Sequence, residues 1–283
     1  YNKEKIVHKI LYAMPTSLCN LSCPHCEIRT HHESYNEDRF LDEFRRWDGD
    51  VIIFGGEPTL FRDRLLNIIG DPKIISITTN LLNLDDELIQ YYNRIHVSTS
   101  WNKSRFTNFE FNLWLSNLEK LKQHSIDVQL LITMTPDLIY DTPLDEFMGL
   151  LYTLELKTSI SVIHFEQLID DNMTREFYMD VDEWLCALYD QWVNKININC
   201  TTFDTIHLGL QNNCTGIFYT LTPDGSIRHG CAHIGEKIKV CEDCIGCEYA
   251  HICTPCRFHK YCSFTKKLYH KIVLNDVKDL RSI

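Results

Sequence analysis

The chain has 283 residues, of which 44% are hydrophobic, 24% charged and 11% aromatic, the profile of an ordinary globular protein rather than a disordered or collagen-like one. Its 39 acidic against 28 basic residues leave a net charge of -11, which repels phosphate backbones and argues against nucleic acid as a partner. No apolar run approaches the roughly 18 residues of a membrane span, and the start, Tyr1-Asn2-Lys3-Glu4-Lys5, has no signal-peptide stretch, so a cytoplasmic protein without a membrane partner is expected.

In chain order, strands are predicted at 8–15, 50–54, 73–79, 94–99, 127–134 and 159–167, each a short apolar run bounded by turn residues. Helices are predicted near 35–47, 60–69, 84–93, 107–124, 142–154 and 174–194. In the third of these, Asn83 is the expected N-cap, Asp85, Asp86 and Glu87 form an acidic first turn, and Leu84, Leu88 and Tyr91 share one face. Strict alternation of six strands with helices predicts a parallel sheet covered by helices. Strands such as Val51-Ile52-Ile53-Phe54, apolar on both faces, suit such a sheet.

Near residue 200 the alternation is expected to stop. The segment 213–262 carries eight of the 13 cysteines and one hairpin-like stretch, 217–227, turning at Pro223-Asp224-Gly225. A segment so poor in apolar residues needs cross-links other than a hydrophobic core. Without an export signal, and with an odd total, the cysteines read as metal ligands rather than disulfides. The closing residues, 264–283, read as a last helix or tail, and its basic cluster Lys266, Lys267, His270 and Lys271 as a solvated helix face.

The first cysteines, Cys19, Cys23 and Cys26, are spaced C-x3-C-x2-C directly after the first predicted strand. Three thiolates suit iron-sulfur ligation and leave one iron without a protein ligand, open to a chelating cofactor. The loop stands at the C-terminal end of a strand, where parallel α/β folds place their chemistry. The alternative is a zinc knuckle completed by His25 or His31. Downstream, Gly55 and Gly56 end the second strand, where the missing β-carbons allow close backbone approach to a ligand.

This loop, followed some thirty residues later by Phe54-Gly55-Gly56-Glu57-Pro58, resembles the radical S-adenosylmethionine (SAM) superfamily. The resemblance implies a partial (β/α)6 TIM-like barrel, an α/β fold over residues 1–198. It also implies a [4Fe-4S] cluster on Cys19, Cys23 and Cys26, chelated by SAM, whose reductive cleavage yields a 5'-deoxyadenosyl radical that takes a hydrogen atom from substrate. Gly55, Gly56 and Glu57 would bind the methionine end of SAM. Thr79-Asn80 would follow on the third strand, and Ser98 and Ser100 near the ribose on the fourth. Two positions depart from the family pattern: Leu81 stands where a glycine is usual, and Trp101 near where peptide-modifying members often carry an acid.

The later cysteines resemble the SPASM extension of that superfamily, so residues 199–283 are expected to form a small cysteine-rich iron-sulfur domain with one or two auxiliary [4Fe-4S] clusters. Carried over by position, Cys214, Cys231 and Cys256 would serve one cluster and Cys244, Cys247, Cys253 and Cys262 the other. Cys200 and Cys241 compete for the eighth place. Taken without the resemblance, Cys244-x2-Cys247 and Cys253-x2-Cys256 also fit a zinc ribbon. Cys186, in an apolar helical stretch, reads as a core residue.

The reaction the resemblance implies is oxidation or cross-linking of a residue in a peptide or protein, with a flavodoxin or ferredoxin as electron donor. A second reading is a radical SAM epimerase or dehydrogenase acting on a sugar-like or aminoglycoside small molecule, for which a surplus thiol such as Cys241 or Cys200 would return a hydrogen atom. A third, of another class, is a non-catalytic zinc-binding interaction protein. Glu166 and His233 are the candidate acid-base groups, and His31 and His32 candidate donors to the cluster loop.

Overall fold

The computed structural model describes residues 9–26, 28, 35–168, 173–193, 195–207, 218–229, 267–268 and 270–272. These fall into two compact units, one within Tyr1–Thr99, Asn108–Ile126 and Asn213–Glu236, the other within Ser100–Thr107, Asp127–Asn212 and Lys237–Ile283.

In the first unit, β1 (Ile10–Ala13), β2 (Asp50–Ile53), β3 (Ile74–Thr78) and β4 (His96–Trp101) run parallel. The last two residues of β4 belong to the second unit. Leu11, Ala13, Val51, Ile53 and Ile77 are fully buried, so the β-branched runs form strands because their alternate side chains fill one core. Helices α1 (Glu37–Arg46), α2 (Arg62–Ile69), α3 (Asp86–Tyr92) and α4 (Asn108–Gln123) belong to the same unit. Asn36 caps α1 by accepting the Arg39 N–H at 3.1 Å.

The N-cap of helix α3 lies two residues later than predicted. Asp85, not Asn83, accepts the Leu88 N–H at 2.9 Å, and the Arg62 guanidinium holds the same carboxylate. The buried face shifts accordingly to Leu88, Ile89 and Tyr92 instead of Leu84, Leu88 and Tyr91.

The predicted hairpin forms from β8 (Phe218–Leu221) and β9 (Ile227–His229). Its turn is held by Asp224, whose carboxylate accepts the Thr222 hydroxyl at 2.6 Å and the Ser226 N–H at 3.0 Å. What sequence patterning missed is where the hairpin lies: β8 pairs in parallel with β1, Ile10 opposite Phe218 and Ala13 opposite Leu221.

The second unit holds β5 (Val128–Met134), β6 (Ile160–Gln167) and β7 (Asn199–Cys200), parallel in that order. It also holds α5 (Pro136–Asp141), α6 (Leu144–Lys157), α7 (Arg175–Trp192) and α8 (Thr201–His207). The helix predicted near 142–154 is α6; α5 before it was not predicted, and Pro143, lacking an N–H, separates the two. The β/α alternation also runs one unit further than expected, through β7 and α8. Phe165 of β6 packs against Phe147 of α6, Trp184 and Trp192 of α7 and Phe203 of α8, with centroids 6.1 to 6.3 Å apart.

Together these elements make a mixed α/β fold of mostly parallel strands, consistent with a partial TIM-like plan. Among the described residues no helix is long and apolar enough to cross a membrane.

Candidate active site

The chain leaves β1 through Pro15 and Thr16 and enters the cysteine loop, which is seated on the end of β2 by backbone hydrogen bonds. The Gly56 N–H donates to the Thr16 carbonyl at 2.9 Å, and the Glu57 N–H to the Leu18 carbonyl at 2.7 Å. The Thr16 hydroxyl accepts the Leu18 N–H at 3.0 Å, tightening the same turn.

This seating requires the two glycines. A β-carbon on Gly56 would lie 2.1 Å from the Leu18 oxygen, and one on Gly55 2.5 Å from the Thr16 oxygen, with Gly55 also at φ +136°. The close approach that Gly55-Gly56 permits is therefore that of the cysteine loop's own backbone. Any ligand would be met by other atoms of this turn.

Glu57 is 1% exposed. Its Oε1 accepts the Thr59 hydroxyl at 2.6 Å, the Thr59 N–H at 3.1 Å and the Thr79 hydroxyl at 2.7 Å, while Oε2 accepts the Asn80 N–H at 2.6 Å. The carboxylate thus ties the end of β2 to the end of β3, its oxygens met by donors as buried polar groups require. The hydroxyl of Tyr92 is buried beside it; desolvation, reinforced by the Glu57 charge, pushes that phenol upward, so it stays neutral.

From the end of β3, the Asn80 amide donates to Asn20 Oδ1 at 2.6 Å, reaching into the cysteine loop between Cys19 and Cys23. Leu81 follows with φ +59°. The position where the related pattern has glycine is a left-handed one, and here a buried leucine occupies it, its carbonyl accepting the Asn117 amide at 2.6 Å. Thr79 is further joined to β4, its N–H donating to the Ser98 carbonyl at 3.0 Å.

The structure therefore brings the cysteine loop, Gly55, Gly56, Glu57, Thr79, Asn80 and Ser98 together in the first unit. Ser98 is buried, Ser100 half-buried two residues along the strand, and Trp101 is buried against Phe147. Sequence reasoning missed Thr16, Asn20 and Thr59, which hold the site, and Tyr92, which is buried near Glu57. Thr59, two residues after a glutamate at a helix start, was the readable one.

Cys19 is exposed, Cys23 buried and Cys26 half-buried, and none of the three is in a disulfide. The Leu21 N–H points at Cys19 Sγ at 3.4 Å, and the Cys26 N–H donates to the Cys23 carbonyl at 3.2 Å. Among the described residues no three His, Cys, Asp or Glu side chains converge as a metal-binding group, and His25 does not complete one. The donor chemistry nonetheless fits an iron-sulfur group: three soft sulfurs on one loop, its base fixed by two backbone bonds and its flank by Asn80.

In the second unit, Cys200 is buried in β7; burial pushes its thiol up to about 12, and the N–H groups of Phe203 and Thr202 bond its sulfur. Cys186 on α7 is half-buried, its thiol pushed up to about 12 by desolvation and by Asp182. Glu166 is half-buried on β6, opposite Thr133 of β5. Cys214, Cys231, His233, Cys241, Cys244, Cys247, Cys253, Cys256 and Cys262, with His31 and His32, lie outside the described residues.

Comparison with models of protein families and with curated proteins returns no match. Among solved structures the chain is similar to SuiB of Streptococcus suis, in a crystal structure bound to S-adenosylmethionine. The TM-score is 0.61 at 13% identity, covering 87% of this chain and 70% of that one. At that identity the likeness is one of fold.

Proposed function

We propose that the chain is a radical SAM enzyme that oxidises or cross-links a residue in a peptide or protein. The observation that carries this reading is the seating of the C-x3-C-x2-C loop on the Gly55-Gly56-Glu57 turn. A fold similar to that of a protein crystallised with S-adenosylmethionine supports it.

In this reading Cys19, Cys23 and Cys26 hold a [4Fe-4S] cluster, which when bound supplies the electron that breaks a carbon–sulfur bond of SAM. Thr16, Asn80 and Glu57 set the loop and the two strand ends around the methionine part of SAM. Ser98, with Ser100 further along the strand, serves the ribose. Residues 1–198 form the six-fold partial barrel, and 199–283 the auxiliary domain with one or two further [4Fe-4S] clusters. Burial of Cys200 favours Cys241 as the eighth auxiliary ligand. The electron donor is a flavodoxin or ferredoxin, in the cytoplasm.

A second reading is epimerisation or dehydrogenation of a sugar-like or aminoglycoside small molecule. The test of the common step is direct. Protein purified without oxygen should be brown with about eight to twelve irons per chain, and with dithionite and SAM should release 5'-deoxyadenosine. Replacing Cys19, Cys23 and Cys26 by Ala should abolish that release, and colourless, zinc-loaded protein would sink the proposal in favour of a zinc-binding interaction protein.

A further inference from the structure

Because β8 runs parallel to β1, the turn that follows it stands at the same end of the sheet as the cysteine loop. Leu221 closes β8 opposite Ala13, and one step further the Met14 N–H donates to the Leu221 carbonyl at 2.9 Å, just before the chain enters that loop. On the far side of the three cysteines, the Asn36 N–H donates to the Pro223 carbonyl, also at 2.9 Å. Two carbonyls flanking the fully buried Thr222 therefore hold the chain before and after the cysteine loop. All of these residues belong to the first unit. Since β1 lies between β2 and β8, the loop that leaves it is gripped from both neighbours: by Gly56 and Glu57 on one side and by the β8–β9 turn on the other.

A brace of this kind works only if it is itself fixed. The Asp224 carboxylate accepts the Ser226 hydroxyl at 3.0 Å in addition to the Thr222 hydroxyl and the Ser226 N–H, and the Gly225 N–H donates to the Thr222 carbonyl at 2.9 Å. The turn is then seated on the start of α1. A β-carbon on Gly225 would lie 2.5 Å from Arg39 Cγ and 2.8 Å from the Arg39 carbonyl carbon, at a backbone φ of +78°. Arg39 is also the residue whose N–H the Asn36 side chain caps. Asn36 thus binds α1 through Oδ1 and the hairpin through its own N–H, so the seat of Gly225 and the Pro223 bond meet on one turn of helix.

We propose that the β8–β9 turn positions the cysteine loop, with Gly225 as the positioning residue: its close seat on α1 sets how firmly the loop lies on the Gly55-Gly56-Glu57 turn, and through that how tightly SAM is held. Only the identity of the bound group, a cluster chelated by SAM, rests on the proposed function. The segment assigned there to the auxiliary domain gains a part in binding at the first cluster, which it plays through backbone carbonyls rather than through its own cysteines.

Hydrogen exchange on the full-length protein, purified without oxygen, reads the brace directly. In Gly225→Ala the left-handed backbone and the contact with Arg39 open the seat, so the amides of Met14, Gly56 and Glu57 should exchange about tenfold faster, while that of Ile89 on α3 stays within about twofold. Asp224→Ala loosens the turn without adding an atom and should act in the same direction, so the expectation survives poor folding of either variant alone. On the same preparations, the change that SAM makes in the electron paramagnetic resonance of the reduced cluster should need about tenfold more SAM in Gly225→Ala than in wild type. Exchange at Gly56 and Glu57 unchanged within about twofold in both variants, equal acceleration of Ile89, or a SAM titration that both variants leave within about twofold would overturn the brace. Accelerated exchange in the variants of a protein that takes up no iron removes the proposed function and leaves the brace on the loop; a wild-type SAM response with undisturbed exchange does the reverse.

Discussion

The Glu57 carboxylate and the backbone N–H of Asn80 meet at 2.6 Å, joining the turn after β2 to the strand end that reaches into the cysteine loop. With Thr59 and Thr79 on the other oxygen, Glu57 acts as a brace: four donors of the protein itself reach its carboxylate. Glu57→Gln turns one acceptor oxygen into a donor facing donors, so unfolding free energy should fall by about 1–3 kcal/mol. Glu57→Ala, which orphans all of the buried donors, should cost more. Denaturant titration checks both. If either variant is as stable as the wild type while SAM affinity collapses, the glutamate is a ligand contact and not a brace.

The glycines make an opposite pair of predictions. Gly56→Ala drives a methyl into the Leu18 carbonyl, so the cysteine loop must lift from β2. Iron loading and SAM binding should fall while the circular dichroism of the fold persists. Gly149, exposed on α6 with nothing within 4 Å of its β-carbon position, should respond to Ala by gaining roughly 0.5–1 kcal/mol. A Gly56→Ala protein with full iron content would remove the argument that the turn seats the loop.

Leu81 reverses the usual order of Gly and Ala. At φ +59° any side chain costs about 1–2 kcal/mol, yet the leucine is buried and its loss costs about 2–5 kcal/mol. Both Leu81→Ala and Leu81→Gly should therefore destabilise, but the Gly variant should be the more stable of the two by about 1 kcal/mol. Equal stabilities in urea titrations would mean that the left-handed conformation relaxes when the side chain is removed.

How far these features were legible follows from how local they are. The apolar runs Val51-Ile52-Ile53 and Val128–Met134 placed β2 and β5 within a residue, because burial alternation is written in neighbouring residues. The pairing of β8 with β1 brings together residues some two hundred positions apart, and nothing in Phe218–Leu221 names its partner. Asp85 took the cap from Asn83 because Arg62, distant in sequence, also binds its carboxylate. At the site, the cysteine spacing and Gly55-Gly56-Glu57 were legible because each is one contiguous motif, whereas Asn20 was not, because its partner Asn80 lies at the end of another strand.

Exposure separates Cys19 of the loop from Cys186 and Cys200 of the second unit. With its thiol pushed up to about 12 by burial, Cys200 at pH 8 carries about one part in ten thousand as thiolate, and Cys186, also pushed up to about 12, is similar. Cys19, by contrast, is exposed to solvent. Brief iodoacetamide treatment of reduced, metal-free protein, followed by mass spectrometry, should label Cys19 and leave Cys186 and Cys200 unmodified until the chain is unfolded. Labelling of Cys200 in the folded protein would contradict its burial in β7 and restore it as a candidate cluster ligand.

The helical residues after the cysteine-rich segment are held on α7 by two kinds of contact of different strength. Asp182 accepts the N–H groups of Lys267 and Leu268 at 3.2 and 3.0 Å, and Leu268 and Ile272 are fully buried. Lys267 pairs with Glu183 and Lys271 with Asp190, so two of the three lysines of the basic cluster are engaged within the chain itself. Exposed pairs of that kind contribute about 0–1 kcal/mol, a capping carboxylate about 0.5–2 kcal/mol, and a buried leucine about 2–5 kcal/mol. Hydrogen exchange of the Leu268, Lys271 and Ile272 amides should therefore accelerate most in Leu268→Ala, less in Asp182→Ala and little in Lys271→Ala. High salt should have almost no effect on the wild type. If Lys271→Ala or salt opened this segment as far as Leu268→Ala does, the attachment would be electrostatic, and burial would not be what ties the residues after the cysteine run to α7.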